Sequence, residues 1–396
     1  MKNRVLLWYL YDFANSFASI VLIFYFPLII SEKGINESWI GISTSIATGL
    51  MLLFLPYFGV WSDKIKNRLF FLKACSWIIF ASLLLLAYST NYLDSDNTFL
   101  IVTSFALYIL FLMMFQSSYV FYTAQLKDLS DENTNIKVSG NGNGLGQVGN
   151  ILGLLAVMPV IGGGIIFLGL QGKSLTFFIG ALLFIILSSF FLYQKQNNIS
   201  IITIIPTFSY RQYLVEIFGE KKIFYYLVGY ALLADALLTF QLYTTIYFKN
   251  VFDLSDKMVS LVGIVGLFFA IVGAFLSHTL VMVTKSKNRA MLCASIIYAV
   301  AFILCALSPK NEWAPFLVMI PAGLDFGFLF SISRVIYSDM TPRDEKAKYF
   351  SIYTIFERSA SVIGPLLWVA SFALLSSFGK DIQYRGSVLI LFCICI

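Results

Sequence analysis

The sequence is poor in charge. Only 12% of its 396 residues are Asp, Glu, Lys or Arg, and 59% are hydrophobic, whereas soluble domains carry about 25% charged residues. This composition excludes an ordinary soluble domain and predicts a polytopic membrane protein. The net charge of +6 then reflects basic cytoplasmic loops, so we expect no nucleic-acid partner.

The sequence also lacks the residue sets of catalysis and metal binding. Its five cysteines lie in apolar runs without a C-x-x-C pair, and His278 is its one histidine. Neither H-E-x-x-H nor G-x-S-x-G occurs, and the G-x-G-x-x-G match at Gly144–Gly149 follows no predicted strand. We therefore expect no enzyme activity, no cofactor and no metal site.

Long apolar runs are abundant instead. A bilayer core of about 30 Å needs about 20 apolar residues per helix, and twelve spans are predicted. They are 7–30, 39–61, 70–88, 98–122, 140–168, 173–193, 223–247, 257–283, 289–308, 313–338, 349–377 and 386–396. The last span is too short to cross a bilayer, which predicts either a truncated chain or a half-span.

The spans fall into two sets of six. We expect an N-terminal bundle at 1–193, a cytoplasmic linker with an amphipathic segment at 194–222, and a C-terminal bundle at 223–396. With a cytoplasmic N-terminus, the cytoplasmic segments hold 18 of the 27 Lys and Arg residues and the outer loops hold 7. This bias predicts cytoplasmic termini and, in a prokaryote, the plasma membrane.

Helix 1 carries a polar stripe. Asp12, Asn15, Ser16 and Ser19 fall within an arc of about 100° on an otherwise apolar helix. A carboxylate within a membrane helix costs several kcal/mol unless it meets water, a cation or a solute. The stripe therefore predicts that helix 1 faces a wet interior; the alternative is a carboxylate near the helix end that reaches the headgroups.

The other ionisable residues inside spans lie in the second half. Asp235 or Asp325 is predicted to be a proton or amine site; the alternative is that both face structural water pockets. Arg334 and Glu357 are predicted to pair as a latch, which leaves Arg358 to face a carboxylate or an anionic solute group.

Neutral polar residues extend the predicted solute site. Tyr119 and Tyr122 lie with Gln116 and Thr123 on helix 4, and Thr239 is one turn from Asp235. Tyrosines near a membrane exit are equally typical of interfacial anchors.

Glycines on helices 5 and 8 form two small-residue faces. They comprise Gly142, Gly146, Gly149 and Gly153 on helix 5, and Gly263, Gly266, Ala270, Gly273 and Ser277 on helix 8. Because small residues let helix backbones approach closely, we predict that these helices touch.

The loop after helix 2, GVWSDKIKNR, resembles the signature loop of the major facilitator superfamily. The resemblance implies a gate or latch role for Gly59, Asp63, Lys64 and Arg68. In that family the aspartate caps a helix of the C-terminal half and joins a charge latch.

Further stretches resemble one branch, the fungal vacuolar amino-acid effluxers and their bacterial relatives. They are YDFANSF, FYTAQL, KVSGNGNGLGQVGN, ISRVIYSDMTPRDEKAKYFSIY and ERSASVIGPL. The resemblance implies a twelve-helix, all-α major facilitator fold and export of amino acids or similar small solutes.

We therefore expect a monomeric secondary transporter in a lipid bilayer that works by alternating access, with a small-molecule solute and protons as partners. One alternative is a proton-coupled exporter of hydrophobic or cationic compounds. The other is a non-transporting receptor or lipid-handling protein on the same scaffold.

Overall fold

The computed structural model describes residues 2–35, 38–65, 67–131, 134–194, 209–254 and 256–395. Residues 195–208 of the predicted linker and the last residue of the final span, 396, lie outside these ranges. Within them the chain is almost wholly helical, as the hydropathy pattern predicts. The helices are α1 Lys2–Glu32, α2 Ser38–Ile65, α3 Arg68–Asn91, α4 Thr98–Thr123, α5 Leu126–Leu129, α6 Asn135–Val157, α7 Gly172–Leu192, α8 Tyr210–Gly219, α9 Lys221–Phe252, α10 Asp256–Thr284, α11 Lys287–Leu307, α12 Ala314–Met340, α13 Lys346–Leu374 and α14 Lys380–Cys395.

Ten helices of the described chain are long and apolar enough to cross a membrane: α1–α4, α6, α7 and α9–α12. The two remaining predicted spans coincide with α13 and α14. Helix α14 begins at Lys380 rather than 386, and its N-terminal part contains an ion pair between Asp381 and Arg385. Its 16 residues reach about 24 Å, still less than the bilayer core.

The predicted fifth span, 140–168, is wrong at its end. Helix α6 stops at Val157, a 3₁₀ turn covers Met158–Val160, and the short strands β1 Ile166–Phe167 and β2 Leu170–Gln171 form an antiparallel hairpin. Pro159 lacks an amide hydrogen and so interrupts the α-helical ladder. Gly163, at φ 75°, then supports a turn that most other residues would resist.

Two compact units make up the chain. The first comprises Met1–Ser130, Leu145–Phe208 and Pro342–Ile352, and the second comprises Asp131–Gly144, Ser209–Thr341 and Tyr353–Ile396. Helices α6 and α13 therefore contribute to both units. The predicted division at 194–222 stays a prediction.

In the first unit, α3 packs against α4 and α7, α1 against α7, and α2 against α4. Its apolar core includes Phe26 of α1, which stacks on Tyr108 of α4 with ring centroids 4.4 Å apart. The second part of α6 lies on α1, because a Cβ at Gly149 would overlap the Phe13 carbonyl oxygen. Glycine is required for that approach.

In the second unit, α12 packs against α10 and α11, and α14 packs against α11 and α9. A Cβ at Gly327 of α12 would overlap the Ala270 carbonyl oxygen of α10. The small-residue face of α10 thus serves mainly α12, not α6 as predicted. Helices α6 and α10 do touch, as predicted, but at Gly140, where a Cβ would overlap Ser277 Oγ.

Candidate functional site

The polar stripe of α1 lies inside the first unit. Asp12, Asn15 and Ser19 are each buried, so the carboxylate does not reach out to the surface of this unit. Helix α6 covers the stripe with a glycine: a Cβ at Gly146 would lie 3.0 Å from Ser16 Oγ and 3.4 Å from Asp12 Cγ. The Asn15 Oδ1 atom is buried and has no hydrogen-bond partner within the described residues. The stripe is therefore a buried polar patch that can accept further hydrogen bonds.

An aromatic stack closes one end of this patch. Tyr122 of α4 stacks on Trp8 with centroids 4.2 Å apart and on Tyr11 at 5.5 Å. The Trp8 indole also donates a hydrogen bond to the Tyr122 carbonyl oxygen at 3.2 Å. Tyr119 is half-buried, with its ring 6.0 Å from that of Tyr122. Tyr122 thus fixes the angle between α1 and α4.

The signature loop forms a charged cluster at the end of α2, which we call the Asp63–Arg68 cluster. Arg68 Nε donates to Asp63 Oδ1 at 2.8 Å, and Nη1 donates to Asp128 Oδ2 at 3.0 Å. The third guanidinium nitrogen donates to the Arg343 carbonyl oxygen at 3.0 Å. Arg68 therefore joins α2, α5 and the segment before α13 in one network of charge-assisted bonds.

Asp63 also caps α13. Its Oδ2 accepts the Lys348 amide hydrogen at 2.8 Å, and the first four amide hydrogens of a helix have no helical acceptor. Gly59 allows this approach, since a Cβ there would lie 2.7 Å from the Ala347 carbonyl oxygen. Lys64 is exposed in the last turn of α2, where a cation interacts favourably with the negative end of the helix dipole.

A cavity of about 290 Å³ borders the Asp63–Arg68 cluster. Its lining carries three arginines and three aspartates: Arg4, Arg68, Arg343, Asp63, Asp128 and Asp344. The formal charges of these six side chains sum to zero.

In the second unit, Asp235 and Thr239 lie one turn apart on α9, and each is only 1% exposed. Both carboxylate oxygens and the hydroxyl lack a hydrogen-bond partner within the described residues. Gly364 of α13 faces them: a Cβ there would overlap Thr239 Oγ1 and lie 2.8 Å from Asp235 Oδ2. This patch is the second buried polar site.

Asp325 lies elsewhere in this unit. It is also 1% exposed, and its Oδ1 has no partner within the described part of the chain. Among the described residues, Tyr298 of α11 and Cys395 of α14 interact electrostatically with it. Asp325 therefore has different neighbours from Asp235.

A third cluster surrounds Glu357 of α13. Tyr230 donates a 2.5 Å hydrogen bond to Glu357 Oε2, and Arg358 Nη2 lies 3.3 Å from Glu357 Oε1. Arg358 is 32% exposed, and its Nε has no hydrogen-bond partner among the residues described. Arg334 is buried on α12, and its pairing with Glu357 stays a prediction.

Tyrosines complete the Glu357 cluster. Tyr353 stacks on Tyr230 at 4.6 Å and hydrogen-bonds Ser333 at 3.0 Å, while Tyr226 donates to the Ser333 carbonyl oxygen at 2.7 Å. Sequence reasoning missed these residues. The matching four-residue spacings, Tyr226 to Tyr230 on α9 and Tyr353 to Glu357 on α13, are the signal that was available.

The chain is similar in sequence to a known family of proteins. Residues 8–365 match the family model described as Major Facilitator Superfamily. Autophagy-related protein 22 of Eremothecium gossypii is 24% identical over 181 residues, which cover 43% of this chain and 35% of that protein. The match therefore spans about a third of the fungal relative's length.

Two further matches span nearly the whole chain. An uncharacterized protein of Aquifex aeolicus is 25% identical over 365 residues, covering 91% of this chain and 86% of that protein. A crystal structure of a bacterial homologue of the iron transporter ferroportin, in an outward-facing state, superposes with a TM-score of 0.76 at 14% identity. It covers 100% of this chain and 96% of that chain, a likeness of fold alone.

Proposed function

The chain belongs to the major facilitator superfamily, and from that premise we propose that it exports a small, amino-acid-like solute by alternating access. The family and the fold are those of membrane transporters, and the helices are those of a multi-pass membrane protein. The solute class and the outward direction rest on the resemblance to fungal vacuolar amino-acid effluxers. An enzymatic role has no support among these observations.

The observation that carries the proposal is the set of polar groups buried in spanning helices. Asp12 and Asn15 on α1, and Asp235 and Thr239 on α9, are all at least nine-tenths buried. Each such group costs free energy unless it meets a partner group of the protein, a solute, an ion or water. Helices α1 and α9 correspond to the first spans of the two predicted bundles, so the two polar patches occupy equivalent places in the predicted internal repeat.

An amino-acid-like solute is a zwitterion, and Asp12 in the first unit is proposed to bind its ammonium group. Arg358 in the second unit is proposed, separately, as a group that can bind an anion. Arg358 keeps a donor, Nε, beyond its contact with Glu357, and guanidinium groups bind carboxylates through paired hydrogen bonds. Tyr119 and Tyr122 border the Asp12 end, in support of their predicted place near the solute.

Proton uptake, predicted for Asp235 or Asp325, is kept as a proposal for Asp325. Asp325 is 1% exposed within a spanning helix, and its Oδ1 has no hydrogen-bond partner within the described residues. Buried carboxyl groups of spanning helices commonly serve as proton relays in transporters. The test is whether Asp325→Asn abolishes the dependence of solute flux on a pH gradient.

The decisive experiment is flux in proteoliposomes that contain the full chain. Labelled amino acids and lipophilic cations are compared at equal concentration, with Asp12→Asn as the test variant and Asp94→Asn, an exposed loop carboxylate, as the matched control. We expect saturable amino-acid flux that Asp12→Asn abolishes and Asp94→Asn retains. Flux of lipophilic cations alone would favour the exporter of hydrophobic compounds, and no flux of either class would favour the receptor.

A further inference from the structure

The β1–β2 hairpin between α6 and α7, which we call the α6–α7 hairpin, lies in an uncharged part of the sequence. No Asp, Glu, Lys or Arg occurs between Lys137 and Lys173. The other two loops at this end of the first unit do carry charge, with Lys33 after α1 and Asp94 after α3. The hairpin therefore has the composition of a membrane segment, although it does not form a spanning helix.

The apolar side chains of the hairpin are turned away from the protein. Ile165, Ile166, Phe167 and Leu168 are consecutive in the sequence, and each of them is between 47% and 68% exposed. Single exposed hydrophobic residues are normal on a protein surface, whereas a contiguous exposed cluster marks a surface that binds something.

The turn holds a leucine at its tip against the preference of the backbone. Leu168 and Gly169 join the two strands with φ values of 52° and 77°, as in a type I′ turn. Asn-Gly or Asp-Gly is preferred in such a turn, because the left-handed region is unfavourable for most other residues. A large apolar side chain thus occupies a position where a small polar one would suit the backbone better.

The hairpin continues an exposed apolar stripe of α7. Phe178, Leu182, Ile186 and Phe190 follow one another at four-residue spacing, and the last three are between 36% and 58% exposed. The ring of Phe167 lies 5.7 Å from that of Phe178, so the stripe extends from the helix onto the hairpin. Because α7 is long and apolar enough to cross a membrane, its exposed apolar stripe contacts lipid.

Polar contacts set the depth of the hairpin. The Asn91 side chain, at the end of α3, donates to the Gly169 carbonyl oxygen and accepts an amide hydrogen from β2, both at 3.1 Å. Tyr92 is 61% exposed beside the turn, and Lys173 pairs with Glu32 next to it in the chain. Tyrosine is typical of the membrane interface, and charged groups are costly in hydrocarbon. The hairpin is therefore held at the level of the interface.

We propose that the α6–α7 hairpin is an interfacial anchor whose Ile166, Phe167 and Leu168 side chains insert among the acyl chains of one lipid leaflet. This is the leaflet opposite the N-terminus, because α6 is the fifth spanning helix of the described chain. The strands themselves stay at headgroup level, since open sheet edges do not enter the hydrocarbon. The partner is lipid, because the stripe that the hairpin continues is the surface of a spanning helix.

The test places a fluorescent probe on the full chain in phosphatidylcholine nanodiscs. In a background without the five native cysteines, Ile166→Cys on the hairpin and Ser95→Cys, in the exposed loop after α3, are each labelled with bimane. The quenchers are iodide in the water and a nitroxide attached to the lipid acyl chain, either near its headgroup end or near its methyl end.

The Ile166→Cys protein should lose most fluorescence to the shallow nitroxide and little to iodide, whereas the Ser95→Cys protein should lose most to iodide. If Ile166→Cys does not fold, Ile165→Cys reports on the same surface.

Leu168→Asp tests whether the apolar tip holds the hairpin in the lipid. Aspartate tolerates left-handed backbone, so the turn is kept, whereas its charge is costly among acyl chains. With this substitution, the probe at Ile166→Cys should lose nitroxide quenching and gain iodide quenching. Unchanged quenching would contradict the anchor.

Three further results would overturn the proposal. Equal iodide quenching of Ile166→Cys and Ser95→Cys would place the hairpin in water. Strongest quenching by the deep nitroxide would favour the predicted fifth span, 140–168. Weak quenching by all three reagents would show that protein, such as a second copy of the chain, covers the hairpin.

Discussion

Removing the Asp63 carboxylate should loosen the first turn of α13. In the structure Asp63 Oδ2 accepts the Lys348 amide hydrogen at 2.8 Å, and Oδ1 accepts Arg68 Nε at the same distance. The side chains of Asp63 and Arg68 are 5% and 13% exposed, so solvent replaces these bonds poorly. Losing a hydrogen bond to a buried charged acceptor costs about 2 kcal/mol, which corresponds to a rise of about 30-fold in local opening.

Amide hydrogen exchange, followed by mass spectrometry on the purified chain, measures this opening directly. In Asp63→Ala, exchange should rise about 30-fold in the first turn of α13, while Asp63→Asn, which keeps one acceptor oxygen, should show a smaller rise. Asp381→Ala is the control, because its pair with Lys310 is half-exposed and remote in sequence. Unchanged exchange in Asp63→Ala would refute the cap, and an equal rise in Asp381→Ala would show that the effect is not local.

Three further outcomes follow from single contacts. Gly327→Ala should lower the free energy of unfolding by about 2 kcal/mol, because the new Cβ would overlap a backbone carbonyl. Gly229→Ala should not lower it, because that position faces open space. Thermal unfolding of the two variants measures the difference. Tyr230→Phe should destabilise the protein by about 1–3 kcal/mol, since the buried Glu357 carboxylate loses a hydrogen-bond donor. Tyr225→Phe, on the exposed side of the same helix, should leave the stability unchanged. Burial alone would raise the pKa of Asp381, but the neighbouring lysine and arginine outweigh it and lower that pKa. Its stabilising contribution is therefore present above the unfolded pKa of about 3.9 and lost as pH falls further, so the unfolding midpoints of wild type and Asp381→Asn should converge in acid.

Most of the fold could be predicted from the hydropathy pattern and the spacing of glycines. Ten of the predicted spans are confirmed as long apolar helices, and the resemblance to the major facilitator superfamily is confirmed by the match over residues 8–365. The end of α6 was missed because Pro159 and the following glycines lie in a run that is still apolar. A hydropathy scale reports the free energy of moving a side chain from water into an apolar phase. The helix ends for a different reason, because the proline has no amide hydrogen to donate.

The candidate site was less predictable, because the direction of a side chain depends on how its helix is rotated. Asp235 and Asp325 look alike in the sequence, yet Asp235 packs against Gly364 of α13, whereas Asp325 interacts electrostatically with Tyr298 of α11 and Cys395 of α14. The partner of Glu357 was likewise missed, because Tyr230 lies 127 residues away along the chain. Only tertiary packing brings such pairs together.

Thiol labelling tests most directly whether the polar stripe of α1 faces a hydrated solute pathway. In a background without the five native cysteines, Ser16→Cys on the stripe and Phe24→Cys on the outer face of α1 are exposed to a membrane-impermeant thiol reagent in proteoliposomes. We expect the Ser16→Cys protein to be labelled, and to be protected by the transported solute, while the Phe24→Cys protein stays unlabelled in lipid. Labelling of Phe24→Cys but not of Ser16→Cys would contradict the account.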